Sequence, residues 1–65
     1  MFDLTRFDSL PAAMLLSVVN TQLRDHFSSL DALADYHDIS ASALSAHLEA
    51  GGFCYVAAQN QFKAK

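Results

Sequence analysis

The chain lacks most of the devices that hold small domains together. Its 65 residues include one cysteine, Cys54, so no disulfide can form within it. Three histidines and that cysteine are scattered without metal-ligand spacing, which argues against a zinc site, and no cofactor motif is present. Cations are scarce. Four Lys and Arg against seven Asp and Glu give a formal charge of −3, a poor match for strong binding to nucleic acid or an anionic membrane. The first residues, MFDLTRFDSLP, carry Asp3 and Asp8 where a secretory signal would be basic. The charge-free run Ser9–Leu23 is interrupted by Ser17, Asn20, Thr21 and Gln22 and falls short of the roughly 20 apolar residues that span a membrane. An interfacial helix would want Lys and Arg on its polar face, where only Arg24 is available. A free thiol without a signal points to the cytoplasm.

What is abundant is apolar side chain. Hydrophobic residues make up 52% of the sequence, which excludes disorder. The length supports one domain, residues 1–65. Such a chain buries only about 60% of the surface that it exposes when unfolded, so stability must come from close helix packing or self-association.

The pattern predicts a mainly α, three-helix domain. Asp8 or Ser9 suits a helix cap and Pro11 a first turn, opening a helix over 11–27. At about 100° per residue, Ala12, Leu16, Val19, Leu23 and Phe27 form a core stripe, with Leu15 and His26 at its edge. Ser28-Ser29-Leu30-Asp31 starts a second helix, 29–36, with Leu30, Leu33 and Ala34 inward. His37-Asp38-Ile39 breaks it, with Asp38 suited to a left-handed turn. Ser40 caps a third helix, 41–50, with Ala41, Leu44, His47 and Leu48 on its apolar face, and Gly51-Gly52 stops it. Phe53–Val56 reads as a short strand, with Ala57–Asn60 a turn and Gln61–Lys63 a return strand of a hairpin.

Leu33, Ala34, Ile39, Leu44 and Leu48 follow the packing pattern of a helix-turn-helix. In a repressor the second of those helices would read DNA, here with Ala41, Ser42, Ala43, Ser45, Ala46 and Glu49. None of these is cationic. Repressors neutralise many phosphates, so the geometry comes without the electrostatics. A DNA-binding regulator is therefore the alternative reading, and nucleic acid is not the expected partner. Dimerisation would double the acids with the cations, twice −3 being −6.

The stretches Leu15–Ile39 and Gly51–Lys63 resemble a family of short bacterial proteins, domain of unknown function 4250. The resemblance covers nearly the whole chain after Leu10. Its more specific parts are Leu16-Ser17, Asn20, Leu23-Arg24-Asp25, Ser29-Leu30, Leu33 and Asn60-Gln61-Phe62. Ala34 stands where a Cys is common, and Phe53-Cys54-Tyr55 replaces a more usual Tyr-acid-Tyr. The resemblance implies a small bacterial cytoplasmic protein and supplies no activity, substrate or cofactor.

Asn20, Arg24 and Asp25 form the sharpest polar group. With Asn60 and Gln61 they would make a small recognition site in which guanidinium and amides read a carboxylate or a peptide backbone. The alternative is a set of polar clamps holding the ends of a short domain: Asn20 satisfying backbone, Arg24 pairing with an acid of the second helix or capping a carbonyl. His26, Ser28 and Asp31 lie on consecutive chain with nothing to build an oxyanion hole, so catalysis is not expected. Cys54, between two aromatics and without an adjacent base, reads as a small buried hydrophobe. His37, placed in the turn, and His47 are ten residues apart, too far for a helix-borne ligand pair. Met14, Val18, Phe2, Leu4, Phe7 and Phe53 exceed what a small monomer can hide. Met14 and Val18, with Phe2, Leu4 and Phe7 of the arm, are therefore expected at a homodimer interface, unless the arm folds back over helix one. The sequence thus predicts a non-enzymatic, self-associating protein-interaction module, with a second protein as a further partner.

Overall fold

A computed structural model describes residues 4–65. Local chemistry accounts for most element boundaries. A single 3-10 turn, Phe7–Ser9, leads to α1 (Ala12–Asp25), α2 (Leu30–His37) and α3 (Ala41–Ala50), followed by β1 (Phe53–Val56) and β2 (Gln61–Ala64). The Ser29 hydroxyl accepts from Ala32 N and that of Ser40 from Ala43 N, each satisfying an N–H orphaned at a helix start. Asp38 closes α2 in the left-handed conformation, φ 57°. Gly52, φ +95°, turns the chain from α3 into β1, a conformation that glycine adopts without steric cost. Gly51 serves close approach instead: a Cβ there would overlap that of Ala12.

The strands pair antiparallel, Phe53↔Ala64 through Val56↔Gln61. Tyr55 and Phe62 face one another, their rings 5.3 Å apart, and Phe62 is buried among the helices. The core joins it to Leu15, Val19 and Leu23 of α1, Leu30 and Leu33 of α2, and Leu44 and Leu48 of α3.

Three expectations for the first helix and its approach are corrected. The start of α1 is capped by neither Asp8 nor Ser9. Both lie in the 3-10 turn, the Ser9 hydroxyl donates to Arg6 O, and Pro11 itself precedes the helix. The buried face of α1 is Leu15, Val19, Gln22 and Leu23, rotated from the stripe read through Ala12 and Leu16. The rotation follows from an inward glutamine: Gln22 Oε1 lies 2.7 Å from Nε2 of His37, which is the buried last residue of α2 and not a turn residue. The helix also ends at Asp25, because Gln22 O accepts from both His26 N and Phe27 N and closes the turn early.

Leu4, expected at a dimer interface, is fully buried in the chain's own core. The arm docks on α3: Phe7 N donates to Leu4 O, the Phe7 ring meets His47 edge-on at 5.8 Å, and His47 Nε2 lies 3.2 Å from Leu10 O. The arm thus folds back within one protomer. Phe2 lies outside the described residues.

Candidate functional site

Four of the five polar residues singled out above, Asn20, Arg24, Asn60 and Gln61, converge on one cleft of about 560 Å³ between α1 and the hairpin turn; Asp25 is not among its lining. Asn20, half-buried on α1, faces β2. Its Nδ2 donates to Phe62 O at 2.9 Å and its Oδ1 accepts from Phe62 N at 2.7 Å. The amide thereby reproduces the two bonds that a neighbouring strand would make.

Asn60 sits at the end of the hairpin turn with φ 51°, a left-handed position that Asn tolerates better than most residues. From there its Nδ2 reaches the end of α1 and donates to Leu23 O at 3.1 Å and Phe27 O at 3.0 Å. Leu23 O is one of the last four carbonyls of that helix, which find no partner inside it. Asn60 Oδ1 accepts from the Tyr55 hydroxyl at 2.7 Å, and that hydroxyl accepts from Leu30 N at 3.3 Å. A chain of hydrogen bonds therefore ties the end of α1 to the start of α2 through the hairpin. Both asparagines act as clamps on the backbone.

Arg24 and Asp25 do something more local. Arg24 Nε and Nη2 donate to the two carboxylate oxygens of Asp25 at 2.8 and 2.9 Å. The guanidinium holds the Asp25 carboxyl below its ordinary range, chiefly by that hydrogen bonding, and is itself raised by it. The side chains are 74% and 42% exposed, so solvent and salt screen the pair. Arg24 thus pairs with its sequence neighbour and not with an acid of α2. Gln61 Nε2 donates to Gln59 Oε1 at the surface.

Sequence reasoning missed Gln22 as an inward residue. It also missed Tyr55 as the hydroxyl linking Asn60 to α2. A tyrosine whose ring packs inward beside an asparagine-ended turn was the available signal, since a buried hydroxyl needs a partner.

The outer face of α3 forms a shallow depression of about 390 Å³ with Leu30, lined by Ala41, Ser42, Ser45, Ala46 and Glu49. Ser45 Oγ donates to Glu49 Oε2, and Lys65 Nζ lies 3.9 Å from the other Glu49 oxygen. Among the described residues no cluster of His, Cys, Asp and Glu could hold a metal ion, and no helix is long and apolar enough to cross a membrane.

A family model, Domain of unknown function (DUF4250), matches residues 10–62. The chain belongs to this family. The match begins at Leu10, whose carbonyl meets His47, and ends at Phe62, which Asn20 holds. The DUF4250 segment therefore spans α1 through the first half of β2 and includes both asparagine clamps. No curated protein and no solved structure matches the chain.

Proposed function

We propose that this DUF4250 protein is a non-enzymatic interaction module that associates with copies of itself. The observation carrying this reading is the apolar surface left over once the core has closed. Met14 and Tyr36 are 53% and 65% exposed, and Leu16, Val18, Ile39 and Phe53 are only half-covered although packed against the core. Covering such groups is favourable in proportion to the area removed from water, and a second copy is always at hand to do it. Burial of Leu4 within the protomer removes it from that surface. The polar residues best suited to chemistry support the non-enzymatic part. Asn20, Asn60 and His37 are committed to bonds within the chain. We place the protein in the bacterial cytoplasm, where the Cys54 thiol stays reduced.

Sedimentation equilibrium at low micromolar concentration tests the reading. A mass rising toward two chains with concentration is the expected result. A single-chain mass throughout overturns it.

A further inference from the structure

The hairpin has one edge partly occupied by a side chain and one open edge. Lys65 N donates to Gly52 O at 2.9 Å. With the Phe53↔Ala64 register, this makes Cys54/Lys63 and Val56/Gln61 the hydrogen-bonded pairs of the ladder. The N–H and C=O of Phe62 therefore point away from β1, where the Asn20 amide takes both. By the same alternation, the N–H and C=O of Phe53 and Tyr55 point away from β2. Among the described residues these groups meet no hydrogen-bond partner. A row of unpaired backbone groups on a strand edge is a template for another strand.

We propose that this edge is where two copies join, β1 against β1, antiparallel about a two-fold axis through Cys54. The proposal rests on the self-association reading and gives it a surface. The edge is complementary to itself. With Cys54 on the axis, Phe53 faces Tyr55 of the second copy, and each donates its N–H to the other's C=O. Charge selects this edge as well. Phe53–Val56 carries no charge, so the paired strands themselves oppose no acids although each chain is net −3. On the other edge Asn20 holds the middle of the strand at Phe62, and that strand bears Lys63. An open cleft beside Tyr55 and Ala57, lined also by Ser28–Asp31, leaves room on the outer side of β1. Pairing turns a two-stranded ribbon, marginal by itself, into a four-stranded sheet.

The side chains divide accordingly. Phe53 and Tyr55 pack inward and would add an aromatic cross-strand pair. Cys54, on the opposite face and half-buried, would meet Cys54 of the second copy in a non-hydrogen-bonded pair, where Cα atoms lie about 4.5 Å apart, within the span of a disulfide.

The test combines sedimentation with thiol trapping on the full chain. In reducing buffer the native chain is expected to dimerise. Once the reductant is removed, diamide joins the two Cys54 sulfurs, two thiols giving up two protons and two electrons to the diazene, which becomes a hydrazine. Cys54→Glu puts a carboxylate beside Lys63 within each chain, which supports the hairpin, but opposes two carboxylates across the axis. It is expected to raise the dissociation constant roughly tenfold or more. Cys54→Thr is expected to dimerise and resist trapping. A native dimer that diamide does not trap, or a folded Cys54→Glu chain that dimerises like the native one, overturns this edge and leaves self-association through another surface. A native chain that stays monomeric overturns both.

Discussion

Removing the Asn60 side chain strikes the point where the hairpin, α1 and α2 are tied together. Asn60→Ala deletes two donations, to Leu23 O and Phe27 O, and one acceptance, from the Tyr55 hydroxyl. Each bond contributes about 0.5–1.5 kcal/mol net, so the loss of three costs about 1.5–4.5 kcal/mol. Alanine must also hold φ 51°, which adds about 1 kcal/mol or more. A domain of this length has a total stability of only about 3–10 kcal/mol, so Asn60→Ala is expected to remove a large fraction of it. Asn60→Gly removes the same bonds without the conformational cost and should be less damaging by about 1 kcal/mol. Asn60→Asp keeps an acceptor for Tyr55 but turns its second oxygen toward two carbonyls. Burial against acceptors raises that carboxyl's folded pKa above its unfolded value, so the folded state binds the extra proton. Stability of this variant is therefore greatest at low pH and falls as pH rises through the folded pKa. Urea unfolding followed by circular dichroism reads all three. Asn60→Ala and Asn60→Gly both within about 0.5 kcal/mol of the native chain would refute the clamp.

Gly51→Ala is expected to cost about 1–3 kcal/mol by driving a Cβ into Ala12, and thermal melts would show it. Leu4→Ala should cost about 2–5 kcal/mol in urea, since Leu4 is fully buried; a loss near zero would remove the arm from the core. Asp25 is expected to titrate below the ordinary aspartate range by NMR and to return to it in Arg24→Ala. A depressed carboxyl stabilises above its unfolded pKa and loses that contribution as pH falls through the folded one. The pair is exposed and screened, so the melting temperature should not move measurably.

Much of the architecture is legible in single residues because its causes are local. Ser29 and Ser40 cap helices, Asp38 takes the left-handed turn, Gly52 turns the chain, and β-prone Phe53–Val56 forms a strand, each by rules acting within a few positions. The rotation of α1 was not legible, because it depends on Gln22 meeting His37 fifteen residues later. The candidate site divides the same way. Asn20 and Asn60 stand out as polar residues near the core margin, but their roles depend on contacts 42 and 37 residues away in sequence. Arg24 illustrates the opposite hazard: a guanidinium that could reach across the fold is held by the residue beside it.

Residue-resolved amide hydrogen exchange, followed as the protein is diluted, tests the pairing of two copies through β1 most directly. The Cys54 and Val56 amides lie inside the ladder and should stay protected at every concentration. The Phe53 and Tyr55 amides point outward and should be protected only when the chain is concentrated. Exchange at Phe53 and Tyr55 that does not respond to concentration would contradict pairing through this edge.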